Sequence, residues 1–347
     1  MTTSPAVRVR GAARQDAVEL ERIAAAALRW EPDAADLVRL LWPTATAGSD
    51  VVTGDRGAAG EADTAGDHGA ESEGAADGGD GGFAVVAEVD GVVAGFAFGS
   101  LGPVPGDPAR GRRGHVNLLA VDASLRRRGV GGALLGELER RLFDAGAAVV
   151  LIGGATPTFA WPGLDVRYTA ARCLVDECGY SPSRQGVNMT VALDAAAAAG
   201  RLDTEDDERR LAAEGVTVRR LVESDRVLIS PWLAAWGGTW EHEALSTLGR
   251  AAAGTYVAVG EDGTADAAFL GFASHGVNRV GWFGPMGTDG ARRNLGIGGV
   301  LLRRCLADLH AAGHPTAQIC WVGPVAFYSR TVDAYVERVF QLYQKER

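Results

Sequence analysis

The chain has 347 residues, of which 47% are hydrophobic, and it carries a formal net charge of −10. This length indicates two domains, and the composition is that of a globular protein. No apolar run reaches the roughly 20 residues that a membrane-spanning helix needs, which argues against a membrane protein. Residues 1–5 lack the pattern of a secretory signal peptide, in which charged residues precede an apolar stretch. We therefore expect a cytoplasmic protein.

Most of the negative charge lies in one segment, residues 48–82. It holds nine acidic residues and one basic residue, so it contributes −8 to the net charge. The segment consists largely of glycine, alanine and acidic residues, and it cannot bury enough apolar surface to offset the entropy lost on ordering. We predict a disordered acidic insertion here, either a tolerated loop or a regulatory segment.

The elements of the first half follow from hydrophobic periodicity and turn residues. In chain order they are a strand at 7–10, helices at 17–28 and 35–42, strands at 83–89, 92–100 and 116–121, a helix from 130, a strand at 147–152, a helix at 170–178 and a strand at 188–193. The pair Asp90-Gly91 predicts a tight hairpin between two of these strands.

The second half repeats this order after a partly helical linker at 195–214. Its elements are a strand at 217–221, helices within 227–240, strands at 256–260, 269–274 and 280–286, a helix from 297 and a strand at 319–322. Few residues follow Ala334, so we expect its sheet to be incomplete or completed by the first domain. Residues 335–343 are alternatively a helix, because Val336, Val339, Phe340 and Tyr343 would share one face.

The four cysteines, Cys173, Cys178, Cys305 and Cys320, have no CxxC spacing and no paired histidines nearby. This pattern predicts free thiols, with neither a disulfide framework nor a metal site. A cysteine that forms an acyl-enzyme stays open as an alternative.

Each half contains one glycine-rich turn between a strand and a leucine-rich helix. The turns read RRRGVGG over 126–132 and RNLGIGG over 293–299. Their offset of 167 residues persists to Pro157 and Pro324, which indicates a duplication. Glycines let main-chain N–H groups approach an anion, and a helix N-terminus adds partial positive charge. We therefore predict that the turns bind a diphosphate.

These turns resemble the R/QxxGxG/A signature of the GNAT acetyltransferase superfamily, and the likeness extends over most of both halves. The resemblance implies an α/β (α+β) protein with two tandem GNAT acyl-CoA N-acyltransferase domains, each a mixed, mostly antiparallel sheet flanked by helices. The domains would span residues 1–194 and 215–347. A Rossmann dinucleotide site is the alternative, but its glycines follow the first strand of a βαβ unit, whereas these turns come late in each half.

The resemblance also implies the coenzyme-binding residues, since in this family the strand before the turn pairs with the pantetheine arm and the turn binds the pyrophosphate. In the first half they are Leu119, Ala120, Val121, Arg126, Arg127, Arg128, Gly129, Val130, Gly131 and Gly132. In the second half they are Met286, Gly287, Thr288, Arg293, Asn294, Leu295, Gly296, Ile297, Gly298 and Gly299. Residues 126–128 are alternatively a solvated basic turn. Nucleic-acid binding is disfavoured, because the sequence pI is about 5.2.

Catalytic residues follow from the same resemblance. The family's usual proton donor to sulfur is a tyrosine on the helix after the fifth strand, and Tyr328 matches that position. A core tyrosine is the alternative. The first half has Val175 there, so we place the chemistry in the second half, with the first half holding coenzyme or serving as a scaffold.

The amine's base is predicted to be His242, which follows three tryptophans in the helices that form acceptor walls in this family. His275 and Asp289 are further candidates. The tryptophans recur at helical spacing, which favours a packed core over an aromatic substrate box.

The resemblance thus implies an N-acetyltransferase that moves acetyl from acetyl-CoA to a primary amine of a small molecule or peptide in a ternary complex, without a metal. The alternative is a non-catalytic acyl-CoA-binding or interaction protein with degenerate domains. We expect neither nucleic acid nor membrane as a partner, and the sequence does not indicate an oligomeric state.

Overall fold

The structure is a computed structural model that describes residues 6–46, 82–103, 112–154, 159–237, 239–260 and 268–347. Internal contacts divide the chain into two compact units, with the division between Val150 and Leu151. The predicted acidic insertion lies, apart from Gly82, outside the described residues. Within the described part of the chain, no helix is long and apolar enough to cross a lipid bilayer.

The first unit contains one sheet with flanking helices. Its elements are β1 (Val7–Gly11), α1 (Ala17–Ala27), α2 (Ala34–Thr46), β2 (Gly82–Val89), β3 (Val92–Pro103), β4 (Arg112–Val121), α3 (Val130–Asp144) and β5 (Ala147–Ile152). The strands lie in the order β1-β2-β3-β4-β5, and the first four pair antiparallel. Val89 lies opposite Val92, with Asp90 and Gly91 at positive φ, which confirms the predicted hairpin.

The second unit has the larger set of described elements. They are β6 (Leu164–Asp165), α4 (Thr169–Glu177), β7 (Ser181–Ala192), α5 (Leu193–Ala198), α6 (Glu205–Ala213), β8 (Val216–Arg220), α7 (Arg226–Ala234), α8 (Trp240–Leu245), β9 (Gly254–Gly260), β10 (Ala268–His275), β11 (Trp282–Thr288), α9 (Ile297–Ala311), β12 (Thr316–Ile319), α10 (Val325–Val332) and β13 (Tyr335–Glu346). The main strand order is β13-β7-β12-β11-β10-β9-β8. The pair β11 and β12 is parallel, and the other neighbours are antiparallel.

Both units are therefore mixed, mostly antiparallel sheets flanked by helices, which confirms the predicted fold class. The division by contacts differs from the predicted domain ranges over residues 151–194. The predicted ranges follow the repeat in the sequence, whereas the contacts follow β7, which pairs with β12 and β13. Residues 181–192 thus extend the sheet that the sequence left short.

The alternative of a helix at 335–343 is wrong, because this segment is strand β13. It pairs antiparallel with β7, where Val339 lies opposite Val187. Arg338, Phe340 and Tyr343 are buried, a pattern that does not follow the face expected for a helix. The β-branched and aromatic residues of the segment suit a pleated surface once a partner strand is present.

The leucines after each glycine-rich turn form the helix side of each core. Leu134, Leu135, Leu138 and Leu142 of α3 are at most 1% exposed, as are Leu301, Leu302 and Leu306 of α9. Their i, i+3, i+4 spacing puts them on one face of each helix. Each helix is thus held rigidly against its sheet, with its first turn at the end of β4 or β11.

The second unit contains a buried ion pair on which its stability should depend. Arg338 Nε lies 2.9 Å from Asp165 Oδ2, and both side chains are at most 4% exposed. Burial alone would raise the pKa of Asp165, but the hydrogen bonds from Arg167 and Arg338 outweigh it and hold the pKa below its usual value. Removing one partner of a buried pair leaves an uncompensated charge.

Asp165→Asn should therefore lower the free energy of unfolding by about 3 kcal/mol, measured by urea denaturation at neutral pH. Asp206→Asn is the matched control, because Asp206 pairs with Arg209 on the surface and exposed pairs contribute at most about 1 kcal/mol. Equal effects of the two substitutions would contradict the assignment.

Candidate active site

Each glycine-rich turn leads into its helix through a glycine with left-handed backbone. Gly129, at φ 80°, precedes α3, and Gly296, at φ 79°, precedes α9. Residues with a Cβ rarely adopt this conformation, so glycine is required at both points. The first N–H groups of a helix have no partner within it. The N–H groups of Val130 and Ile297 and of the residue after each are thus available to an anion; that of Gly299 already donates to Gly296 O at 3.0 Å.

The arginines of the first turn lie at the surface. Arg126, Arg127 and Arg128 are all exposed. Arg126 Nε donates a hydrogen bond to Val121 O at 3.1 Å, so its guanidinium ties the turn to the end of β4. In the second turn, the side chain of Arg293 lies outside what the structure describes.

A residue from the predicted linker lies at the second turn. Arg210 of α6 donates to Leu295 O at 3.0 Å. Its Nη2 is 3.3 Å from the place where a Cβ on Gly296 would stand. Asp207 accepts from the same guanidinium at 2.6 Å and orients it. No motif in the sequence marks Arg210, because it belongs to a polar helix between the repeats.

The main chain of β4 presents two residues on the side away from β3. Asp122 N–H donates to Ala94 O at 2.9 Å. Residues of an antiparallel strand alternate between bonding to the partner strand and facing away from it. Counting back from Asp122, Leu119 and Val121 face away from β3, whereas Ala120 bonds to β3. The contact of Arg126 with the Val121 carbonyl agrees with this direction.

The same alternation occurs along β11, at the 167-residue offset. Asp289 N–H donates to Leu270 O at 2.9 Å, so Met286 and Thr288 face away from β10, whereas Gly287 bonds to it. On this free side, β12 pairs only with Trp282 and Phe283. The two parallel strands thus separate beyond Phe283. Of the three residues predicted in each strand, the outer two can pair with an extended ligand through their main chain.

The beginning of α9 lies directly against the free side of β11. A Cβ on Gly298 would be 3.3 Å from Thr288 Oγ1 and 3.4 Å from Met286 Cε. It would also be 3.7 Å from Phe327 of α10. The second glycine-rich turn and the unpaired strand edge therefore form one continuous surface, with α10 on its far side.

Tyr328 lies on α10 beside this opening and is 6% exposed. Its ring packs against Phe327 and Phe283, with centroids 5.0 and 6.3 Å away. Burial raises the pKa of Tyr328, and so does the nearby Cys320 thiol. The phenol is therefore protonated at neutral pH and is available as a proton donor while it also packs in the core.

The structure differs from the prediction in which residue of α8 is buried, Glu243 instead of His242. His242 is exposed on α8, whereas Glu243 is 8% exposed. The Glu243 carboxylate accepts hydrogen bonds from Asn278 Nδ2 and Thr239 Oγ1, both at 2.9 Å. Burial raises the pKa of Glu243 even so. The Glu243 charge in turn raises the pKa of Cys320, so the carboxylate lies near the strand opening.

Helical spacing is the signal that distinguishes these neighbours. Glu243 and Ala244 follow Trp240 by three and four residues, so they share its inward face, whereas His242 does not. Residue type alone favours His242 as a base, whereas the helical spacing from Trp240 favours Glu243. Glu243, Cys320 and Tyr328 are the titratable residues that the structure brings together.

The other candidate bases have different surroundings. His275 is buried, and its Nε2 lies 3.3 Å from Asp308 Oδ2 on α9, which also pairs with Arg220. This cluster lies on the α9 face of the sheet. Asp289 lines a shallow groove with Trp232 and Trp236.

The tryptophans pack together as a core. Trp236 contacts the rings of Trp232 and Trp240 with centroids 5.6 Å away, and all three contact Phe272. Trp236 also covers the sheet at Gly287, where a Cβ would be 3.1 Å from the indole. Their main role is therefore to hold α7 and α8 on the sheet.

Cys305 is buried and Cys320 is partly buried, and neither favours a thiolate nucleophile. Burial raises the pKa of Cys305, and it raises the pKa of Cys320 to about 12. A thiol with such a pKa stays neutral at physiological pH and reacts poorly. Among the residues that the structure describes, no group of three or more His, Cys, Asp or Glu side chains could hold a metal ion.

Comparison with known families gives one match. Residues 51–157 match the model of the acetyltransferase (GNAT) family. This range covers β2 to β5 and includes the first glycine-rich turn. A search among curated proteins finds no match.

Solved structures resemble the chain over nearly its whole length. A tandem GNAT protein from the clavulanic acid biosynthesis pathway has a TM-score of 0.63 and 15% identity, with 98% of each chain covered. A GCN5-related N-acetyltransferase from Sphaerobacter thermophilus has a TM-score of 0.60 and 19% identity, with 98% of this chain and 95% of that chain covered.

A third similar structure is the GCN5-related glucosamine N-acetyltransferase region of a fungal multi-domain GH3 β-N-acetylglucosaminidase, with a TM-score of 0.70 and 15% identity. The comparison covers 99% of this chain and 38% of that chain. At these identities the likeness concerns the fold alone.

Gly298→Val should weaken the binding of acetyl-CoA at the second turn by at least about tenfold, because the side chain would fill the gap between α9 and β11 where charge-assisted hydrogen bonds are expected. Isothermal titration calorimetry measures the effect. Gly299→Ala is the matched control, since a Cβ there makes only an ordinary contact, 3.8 Å from Thr331. Unchanged affinity in Gly298→Val protein would place the ligand elsewhere.

Proposed function

We propose that this chain is a GNAT superfamily protein and an N-acyltransferase that moves an acetyl group from acetyl-CoA to a primary amine. The fold supports acyl transfer in general. The proposal of acetyl-CoA as the donor rests on the unpaired edge of β11 at Met286 and Thr288. This edge lies between the start of α9 and α10, the helix that contains Tyr328. An extended thioester substrate fits such an edge.

The residues present suit acetyl-CoA. Its pantetheine arm contains amides that can pair with the outward main-chain groups of Met286 and Thr288, in the manner of an added strand. Its diphosphate can accept hydrogen bonds from the N–H groups of Ile297 and Gly298. The Arg210 guanidinium adds a positive charge at the same turn. In the first unit, Leu119, Val121 and the start of α3 repeat this arrangement.

The buried groups can supply the proton transfers that amide formation needs. Glu243, with its raised pKa, takes a proton from the ammonium form of the substrate. The neutral nitrogen attacks the thioester carbonyl carbon, and a main-chain N–H of β11 stabilises the developing oxyanion. The carbon–sulfur bond then breaks, the Tyr328 hydroxyl protonates the sulfur, and the resulting phenolate takes the extra proton from the newly bonded nitrogen. The products are an acetamide and free CoA, formed in one ternary complex.

We also infer that the two halves are tandem copies of one domain and that turnover takes place in the second. Tyr328 is present there, whereas the first half has Val175 at the place where the family resemblance expects the tyrosine. The acceptor is a small-molecule or peptide amine, since the fold itself does not specify one.

A non-catalytic acyl-CoA-binding protein is the second candidate. The observation that favours it is Val175, which stands in the first half where the family's tyrosine is expected. Release of free CoA from acetyl-CoA across a panel of amines distinguishes the two functions. Binding of acetyl-CoA without any amine-dependent release would support the second candidate.

Tyr328→Phe should lower kcat by about a hundredfold or more, because the change removes the proton donor and keeps the ring packing. Steady-state release of CoA measures it, with the thermal midpoint as a check on folding. Tyr335→Phe is the control, since Tyr335 is 54% exposed on β13. Retained turnover in Tyr328→Phe protein would return Tyr328 to a purely structural role.

Glu243→Gln should abolish the acidic limb of the pH profile of kcat. A base must be deprotonated to act, so activity in the unaltered enzyme should rise with pH through the raised pKa of Glu243. The glutamine keeps the contacts with Asn278 and Thr239 but cannot titrate. His242→Gln is the matched control, and a loss of the acidic limb in that variant instead would restore His242 as the base.

A further inference from the structure

One buried side chain in the first unit has an unused hydrogen-bond acceptor. β4 carries an extra residue opposite β3, because Phe98 faces Leu118 and Gly99 faces Val116. This residue, Asn117, is 7% exposed, so the bulge turns its side chain inward. Asn117 Nδ2 donates to the Ser100 hydroxyl at 3.1 Å, which fixes the orientation of the amide.

The other end of the amide is unsatisfied. Asn117 Oδ1 has no hydrogen-bond partner among the described residues. Buried polar atoms are nearly always paired in folded proteins, so an orphaned acceptor marks a place where the donor of a ligand fits. Leu119, whose main chain faces away from β3, lies only two residues further along the strand. Asn117 thus borders the edge that suits a pantetheine arm.

The repeat indicates which part of the ligand reaches Asn117. The 167-residue offset pairs it with Gly284, in the corresponding bulge of β11. A Cβ on Gly284 would be 3.3 Å from Cys320 Sγ, and Cys320 interacts with Tyr328, the proposed proton donor to sulfur. Asn117 therefore corresponds to the sulfur end of the site, where the second copy has no side chain.

A thiol and a thioester differ as partners for an acceptor at this point. The S–H group of free CoA is a hydrogen-bond donor, although a weak one, whereas an acyl thioester offers only its carbonyl oxygen. Asn117 Oδ1 attracts the S–H group of free CoA and repels the carbonyl oxygen of the acyl thioester. A site that bonds one group rejects the analogue that leaves its buried polar atom unpaired.

We propose that the first unit binds free CoA in preference to acetyl-CoA, with the CoA thiol donating its hydrogen to Asn117 Oδ1. The proposal rests on the proposed function for the class of ligand. It adds a separate site that holds CoA, the product of the reaction. No turnover takes place at this site, since the first half has Val175 in place of the phenol. One chain then binds the acyl donor in its second unit and the deacylated carrier in its first.

Calorimetry on Gly298→Val protein, in which the second site is blocked, isolates the first site. We expect CoA to bind at least about fivefold more tightly than acetyl-CoA, and likewise more tightly than desulfo-CoA, which has no thiol. Adding Asn117→Leu, which has a similar volume and no acceptor, should bring the three affinities within about twofold of one another. Its thermal midpoint serves as the check on folding, because the change removes the hydrogen bond to the Ser100 hydroxyl together with the unsatisfied acceptor.

Equal affinities for CoA and acetyl-CoA in Gly298→Val protein would overturn the proposal, as would the binding of neither. A preference for CoA that survives Asn117→Leu would do the same. The comparison of CoA with desulfo-CoA leaves Asn117 unaltered, so it decides the question even if Asn117→Leu does not fold. Amine-dependent CoA release by the unaltered chain tests the proposed function separately, because it requires the second site.

Discussion

The direction of the main-chain hydrogen bonds along β4 and β11 is the constraint on which the rest of the site depends. Each strand bonds to one neighbour through every second residue, and the residues between them face away from it. An extra residue opposite β3 or β10 interrupts the register just before these positions. Such bulges bend a strand and disturb its pairing. The opening beside β11 is thus a consequence of backbone geometry, with side chains adding chemistry to it.

The glycine-rich turns act only in combination with these edges. A helix N-terminus alone is a general anion site. Here the approach of Gly298 to Thr288 and Met286 joins the anion site to the unpaired strand. A ligand with a diphosphate at one end and an extended amide chain at the other can contact both surfaces at once.

Local features of the fold could be predicted from the sequence. The turn at Asp90-Gly91 needs only its own two residues, and the leucine series of α3 and α9 reflect the period of a helix. The repeat offset located both turns without any tertiary information. The hairpin and leucine signals each lie within about 20 residues of chain, where periodicity and turn chemistry are reliable guides.

Features that depend on distant partners could not be predicted in this way. The segment 335–343 fits a helix by spacing alone, and only the presence of β7 makes it a strand. Arg210 reaches the second turn because α6 packs on α9 through pairs such as Arg304 with Glu208. Glu243 and His242 are adjacent, and the burial of α8 against the sheet decides which of them enters the site.

The pairing of β7 with β12 and β13 has a consequence for the order in which the protein is made. β7 ends at Ala192, whereas β12 begins at Thr316 and β13 at Tyr335. At synthesis rates of about 5–20 residues per second, β7 leaves the ribosome on the order of ten seconds before either neighbour exists. Through that interval both of its edges are unpaired, so the nascent chain carries an exposed strand that a chaperone or a neighbouring polypeptide can capture.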